Sequence, residues 1–250
     1  MSHNFRKRLL NGEVLVGSMV TIASPEIAEI MAGVGFDWLF IDSEHSPINP
    51  RGAQAVLQAA GRDCSCVIRI PAVDEVWIKK ALDIGADGII APQVNSAAQA
   101  EGIVRMCKYP PAGTRGVGIG RAHKYGLEFK AYMERANDEI TVILQAETRR
   151  AVRNISEIVK VPGIDAIFIG PYDLSACLGK MGQLDDPEVK HAIAAIAEAS
   201  REAGVRLGIF GATPEAVQPF LQQGFTLVAI GSDGLHMAHG AGRTLDSVKG

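Results

Sequence analysis

Residues 141–179 read TVILQAETRRAVRNISEIVKVPGIDAIFIGPYDLSACLG and hold one complete structural repeat and the start of the next. The stretch opens on the apolar, β-branched run Thr141–Gln145. After Thr148 comes RRAVRNISEIV, with apolar residues at helical spacing behind a capping residue. A second apolar run, Ala166–Ile169, follows. Both runs are short and continuously apolar, as parallel strands buried on both faces are.

The same alternation extends through the chain. Further strand candidates are Leu15–Ile22, Trp38–Ile41, Cys66–Ile70, Gly88–Ala91, Arg206–Ile209 and Leu227–Ile230. Helical segments lie between them. Pro25 opens EIAEIMAGVG, which Gly33 or Gly35 closes. Asp74 precedes EVWIKKALDIG, and Asn95 or Ser96 precedes AAQAEGIVRMC. Asp186-Pro187 opens a helix running to Ala203, and Thr213-Pro214 opens the last one before the final strand. Strands alternating with helices predict an α/β fold with a parallel sheet. A closed (β/α)8 TIM barrel competes with an open doubly wound sheet. The length of 250 residues, the count of eight strands and the missing dinucleotide fingerprint after the first strand favour the barrel, as a single domain over 1–250. One segment is out of step: 109–126, YPPAGTRGVGIGRAHKYG, is a long Gly-rich loop, a feature expected to be functional or mobile.

Composition narrows the function. With 47% hydrophobic and 21% charged residues and a net charge of −3, the chain is neither disordered nor a nucleic-acid binder by charge. Cys64, Cys66, Cys107 and Cys177 have no zinc or CxxC spacing and read as reduced thiols. The N-terminus, MSHNFRKRLLNGE, has no apolar core of a secretory leader, and no run is long enough to span a membrane. A soluble cytoplasmic enzyme without nucleic-acid or membrane partners is expected.

In a barrel the chemistry sits at the C-terminal ends of the strands. Four strands end there in polar groups: Asp42-Ser43-Glu44-His45, Arg69, Gln145-Ala146-Glu147 and Gly170-Pro171-Tyr172-Asp173. Glu147 and Asp173 follow consecutive strands, spaced about 4.8 Å apart, so their carboxylates can reach one point. Two such carboxylates repel and call for a shared proton or a hard divalent cation such as Mg2+ or Mn2+. The plainer alternative is that each acid caps the helix after it. His45 is a candidate general base, with Asp42 or Glu44 to orient it. Arg69 needs an anion, either a substrate carboxylate or one of these acids. Two Gly-rich turns, 116–120 and 230–234, could each meet an anion or phosphate, or be turns only. His123, His191, His236 and His239 lack ligand spacing and read as surface residues.

These blocks resemble a known family. FDWLFIDSEHSP, VIRIPAVDEVWIKKALDIGADGIIAPQV, YPPAGTRGVG, VILQAETRRAVRNISEI and GIDAIFIGPYDLSACLG are similar, in order and over about residues 13–235, to the HpcH/HpaI class II aldolases. That resemblance implies a metal-dependent (β/α)8 pyruvate aldolase acting on 4-hydroxy-2-keto acids through a metal-stabilised enolate. It implies Glu147 and Asp173 as ligands of Mg2+ or Mn2+, with Co2+ a third candidate. His45 with Asp42 corresponds to an acid/base pair, Arg69 to the group gripping the pyruvate oxygens, and Gln145, Gly170, Pro171 and Ser175 to the substrate pocket. Asp83 matches an acid that relatives contribute across a subunit contact. The family forms homo-oligomers, trimers or hexamers, with exchanged C-terminal helices, here about 232–248. Met19, Cys177 and the segment 210–212 depart from common family residues on the acceptor side, which leaves the aldehyde open. Enolate formation by oxaloacetate decarboxylation uses the same residues. A CoA-ester lyase would need a basic groove, for which 109–126 is the one candidate, and a non-catalytic 2-keto acid binder would not need the acid/base set.

Overall fold

All eight expected strands are present and pair in parallel, each with the next in sequence, closing into a barrel β1-β2-β3-β4-β5-β6-β7-β8. The computed structural model describes residues 4–61 and 64–249; the first three residues of the N-terminal segment read above lie outside them. In chain order the elements begin α1 (Phe5–Leu10), β1 (Leu15–Val20), α2 (Pro25–Val34), β2 (Trp38–Asp42), α3 (Pro50–Ala60), β3 (Ser65–Arg69), α4 (Glu75–Asp83), β4 (Gly88–Ala91) and α5 (Ala97–Cys107). They continue with α6 (Phe129–Glu139), β5 (Thr141–Ala146), α7 (Arg149–Ile158), β6 (Ala166–Ile169) and α8 (Pro171–Cys177). The chain ends with α9 (Pro187–Glu202), β7 (Arg206–Gly211), α10 (Pro214–Gln222), β8 (Leu227–Ser232) and α11 (Asp233–Lys249).

The helix starts lie where the side chains can cap them. Ser24, Asp74, Ser96, Thr148, Asp186 and Thr213 each accept a backbone N–H of the following first turn. Three helices add to those read from sequence. α1 and α8 span six and seven residues, too short for a helical period to register. α3 starts from an Asn49 cap with Pro50 behind it.

The barrel interior is packed by Leu15, Trp38, Phe40, Val67, Ile90, Ile143, Phe168 and Leu227. Phe5 and Leu9 of α1 join this cluster and close the N-terminal end of the barrel, where Arg6 and Arg8 pair with Asp165 and Asp37 at 2.9 and 2.7 Å. A second apolar layer lies between strands and helices. Gly17 is required where β1 passes Trp38: an added Cβ would sit 2.5 Å from the indole nitrogen.

Two sequence expectations change. β1 stops at Val20, short of Ile22, because the N–H groups of Thr21 and Ile22 go to the Asp233 carboxylate at 2.9 and 2.8 Å instead of to a neighbouring strand. His123 is not a surface residue. Its ring is buried and bonds the backbone of Gly118, Gly120 and Gly126, which organises the loop before α6. That loop lies at the N-terminal end of the barrel, where Arg121 donates to the Ile84 carbonyl at 2.9 Å. Cys64, Cys66 and Cys107 are buried free thiols that burial pushes above their ordinary pKa, so they are inert; Cys177 is exposed. No described helix is long and apolar enough to cross a membrane.

Candidate active site

A cavity of about 180 Å3 opens at the C-terminal mouth of the barrel. That is below the usual range of roughly 300–1,000 Å3 for drug-sized ligands and suits a small metabolite. His45, Arg69, Gln145, Gly170, Pro171 and Asp173 line it, so six of the sequence-predicted residues converge there. Met19, Phe40, Phe168, Tyr172 and Phe210 complete the wall.

Arg69 closes β3 and lies over the Phe40 ring at 5.2 Å. Its partner is Asp42 at the end of β2, which faces it directly in the sheet register. The pair is bidentate, Nε to Oδ1 at 3.0 Å and Nη2 to Oδ2 at 2.8 Å, with both side chains buried. Burial alone would raise the Asp42 carboxyl, but the hydrogen bonds and charge of Arg69 outweigh it and hold the group below its ordinary range. Asp42 Oδ1 also accepts the backbone N–H groups of Glu44 and His45 at 3.0 and 3.2 Å. Asp42 therefore holds the arginine and the turn. The acid facing the His45 ring is Glu44, with Oε2 at 3.6 Å from Nε2 and at 3.3 Å from Arg69 Nε. His45 itself stands at the rim, its side chain 63% exposed.

Glu147 follows β5 and is buried. Its Oε1 accepts the Gln93 N–H at 2.9 Å, and Gln145 donates its side-chain amide to Oε2. Gln93 sits after β4 at φ 52°, a left-handed conformation uncommon for a residue with a Cβ. Nothing in the apolar pattern singles it out. Burial pushes the Glu147 carboxyl up to about 7, Asp173 and Glu44 add to the rise, and the Gln93 N–H and Arg69 oppose it. Thr148, not Glu147, caps α7, and Asp173 lies in the first turn of α8 facing the cavity, so helix capping does not account for either acid.

Gly170 leaves room for the Glu147 carboxylate and the Gln145 amide. A Cβ there would lie 2.5 Å from Glu147 Oε2 and 2.9 Å from Gln145 Nε2. Gly170→Ala is expected to displace the Glu147 carboxylate and weaken divalent-cation binding by about 10- to 100-fold, the cost of disturbing a ligand's support. Titration calorimetry with Mn2+ checks this, with circular dichroism showing the fold retained.

Two predicted site residues are elsewhere. Asp83 ends α4, which runs from the mouth back to the opposite end of the barrel, and pairs at 2.6 Å with the buried Arg115. Arg115 is stacked on Tyr109 at 4.4 Å, so the anion it meets is this chain's own. Ser175 is buried and spends its hydroxyl on the Tyr172 carbonyl and the Gly182 N–H, at 2.7 and 3.0 Å. Within one chain neither reaches the cavity. The Gly-rich turn after β8 is also filled internally. Asp233 takes the N–H groups of Thr21, Ile22 and Gly234 and the Thr21 hydroxyl, at 2.7 to 2.9 Å, which ties that turn to the segment after β1.

The donor set fits a hard divalent cation. Asp173 lines the cavity with no protein partner among the described residues, and Glu147 lies near enough to feel its charge. Gln145 Oε1 is a buried oxygen without a hydrogen-bond partner. Among the described residues no cluster of three or more acids, histidines or cysteines is placed to hold a metal. Two carboxylates would leave the remaining positions to water and substrate, the usual arrangement for Mg2+.

The family model described as HpcH/HpaI aldolase/citrate lyase matches residues 16–240. The chain is 42% identical over 246 residues to a 4-hydroxy-2-oxovalerate aldolase of Novosphingobium aromaticivorans, covering 96% of this chain and 92% of that one. It is 39% identical over 244 residues to a 4-hydroxy-2-oxo-heptane-1,7-dioate aldolase of Shigella sonnei, covering 96% and 93%. A solved HpcH/HpaI aldolase/citrate lyase family protein of Burkholderia cenocepacia superposes with a TM-score of 0.95 at 33% identity, covering 99% of this chain and all of that one. The chain belongs to the HpcH/HpaI aldolase/citrate lyase family and is a carbon–carbon lyase on a (β/α)8 barrel.

Proposed function

We propose that this chain cleaves a 4-hydroxy-2-keto acid reversibly into pyruvate, or a close 2-keto acid, and an aldehyde, with a divalent cation held by Glu147 and Asp173. The observation that carries the metal reading is the pair of neighbouring carboxylates beside Arg69, Glu147 raised to about 7 in part by the charge of Asp173, and Asp173 lining the cavity without a partner among the described residues. Mg2+ and Mn2+ suit these hard oxygen donors, and Co2+ is the third candidate. When bound, the cation supplies Lewis-acid stabilisation of the negative charge that develops on the keto oxygen.

The remaining steps belong to the protein. Asp42 and Glu44 engage Arg69 through Nε and Nη2, which leaves Nη1 to donate to the substrate's oxygens. Gln145 and Gly170 shape the floor on which the 2-keto acid lies. The Glu44 carboxylate lies 3.6 Å from His45 Nε2, placed to orient the ring, and His45 is the base. In cleavage the His45 imidazole takes the 4-hydroxyl proton. The C3–C4 bond breaks, its electrons pass to C3 and the keto oxygen, C4 becomes the aldehyde carbonyl, and the proton returns at C3. Synthesis reverses each step.

The test is pyruvate release from 4-hydroxy-2-oxopentanoate. It is expected with Mg2+ or Mn2+, lost on chelation with EDTA and restored on adding metal back. Metal-independent cleavage would overturn the metal reading, and CO2 release from oxaloacetate with no aldol cleavage would replace the aldolase reading. Two further expectations follow. Because Glu147 binds its proton up to about pH 7, cation affinity should weaken as pH falls below that value, by at most about tenfold per unit, in Mn2+ titrations from pH 8 to 5. Glu44→Gln should lower kcat with little change in KM and shift the acidic limb of the pH–rate profile, because it alters the field on His45 and leaves the Asp42–Arg69 pair in place.

We read the active species as a homo-oligomer, a trimer or hexamer, in the cytoplasm. α11 supports assembly: Asp233 is its one buried residue, and Leu235, Met237, Leu245 and Val248 are exposed along it. A second copy covering that helix would bury them, and could bring Asp83 to a neighbouring mouth.

A further inference from the structure

The mouth of the barrel is divided by chemistry. On the β2–β6 side it presents His45, Arg69, Gln145 and Asp173, with Glu44 against His45 and Glu147 against Gln145. The arc from β7 through β8 to β1 presents Phe210 and Met19, with Tyr172 of α8 beside them; Tyr172 and Phe210 face each other with ring centroids 6.5 Å apart. If the 2-keto acid lies against the polar side, as the proposed function requires, the aldehyde portion extends over this arc.

Among the described residues of one chain the arc offers no cation. Arg69 is the one arginine or lysine among the described residues lining the cavity, and it is engaged by Asp42 and Glu44. Arg149 and Lys180, on the α7 and α8 side of the rim, are paired with Glu188 and Asp186 at 3.1 and 3.2 Å. An acceptor with a carboxylate or phosphate at its far end would lose hydration there against apolar walls, with no cation of this chain to offset the loss.

We propose that the aldehyde this enzyme releases and accepts carries no charge at its far end. The proposal rests on the aldolase reading and deepens it to a substrate class. The contrast is one of differential affinity, set by apolar walls that cannot replace the hydration of a charged end.

The experiment compares two substrates of equal chain length, 4-hydroxy-2-oxoheptanoate and 4-hydroxy-2-oxoheptanedioate, in Mn2+-loaded enzyme, with 4-hydroxy-2-oxopentanoate as the short reference. The uncharged seven-carbon substrate should exceed the dicarboxylate at least tenfold in kcat/KM, mostly through KM. Met19→Arg should narrow or reverse that ratio by placing a cation on the arc. Equal cleavage of the pair, or a preference for the dicarboxylate, overturns the proposal and leaves the aldolase reading standing. Cleavage of the short reference alone also overturns it, because length and not charge would then be limiting. Cleavage of none of the three, in metal-loaded protein, overturns the aldolase reading and the proposal together. If Met19→Arg fails to fold, the wild-type ratio decides the question.

Discussion

Glu147→Gln is expected to lower kcat/KM for pyruvate release by roughly a thousandfold, the upper end of the cost of removing one electrostatic stabiliser of a developing oxyanion. Its shape is unchanged, but its single oxygen can accept from the Gln93 N–H or from the Gln145 amide and not from both; the charge goes as well. The same substitution should stabilise the metal-free protein at high pH. The folded protein holds the Glu147 proton up to about pH 7, against an ordinary 4.5, so between those values the native state binds more protons than the unfolded chain. Stability from this group is therefore full below pH 4.5 and falls as pH rises through 7. At pH 8 the ionised, buried carboxylate costs about 3 kcal/mol. Glutamine avoids that cost, so in EDTA at pH 8 the variant should melt about 6–12 °C above the wild type. The gap should close at pH 4.5 and shrink when Mn2+ loads the wild type. A variant that melts no higher than wild type in EDTA would show that Glu147 is not held as a raised, buried acid.

Arg69→Met has the opposite signature. It removes the guanidinium and leaves the Asp42 carboxylate, 1% exposed, with only two backbone N–H partners. Breaking a buried pair from one side costs about 3–5 kcal/mol. For a chain of this size that lowers Tm by roughly 10 °C or more. Asp42→Asn combined with Arg69→Met should recover a substantial part of the loss, because no unpaired charge then remains. Activity should be absent in both, since neither supplies Nη1 to the substrate. Arg69→Lys keeps the charge without the two-pronged geometry and should fall between in stability. Thermal melts of wild type, Arg69→Met, Asp42→Asn and the double variant give the coupling directly. Additive losses would mean that the pair is not the unit that holds this corner of the mouth.

The barrel was legible because its strands are buried on both faces. Runs such as Ala166–Ile169 and Gly88–Ala91 are apolar throughout, and residues such as Ser24 and Thr213 mark where each helix starts. The convergence of His45, Arg69, Gln145 and Asp173 was legible for a related reason, since the end of every parallel strand points to one mouth. Partner choice inside that mouth was not. Sequence leaves Asp42 equally able to orient His45 or to hold Arg69, and the decision comes from the β2–β3 register, which sets Asp42 opposite Arg69. Gln93 was invisible because its contribution is a backbone N–H turned by a left-handed residue. Asp233 was read within a glycine turn, and its role depends on Thr21 and Ile22 just after β1, more than two hundred residues away in sequence. His123 was misread as a surface residue because its partners are backbone atoms of a loop with no periodic pattern.

The central claim is that this cavity forms an enolate from a 2-keto acid with a divalent cation held by Glu147 and Asp173. The most direct measurement needs no aldehyde. The protein is incubated with pyruvate in D2O, with Mg2+ or Mn2+ and separately with EDTA, and the methyl proton signal is followed by NMR. Metal-dependent loss of that signal, absent in EDTA and in Glu147→Gln, is the predicted result. Retention of the signal, with metal and pyruvate both shown to bind, would contradict the account, as would exchange that proceeds undiminished in EDTA.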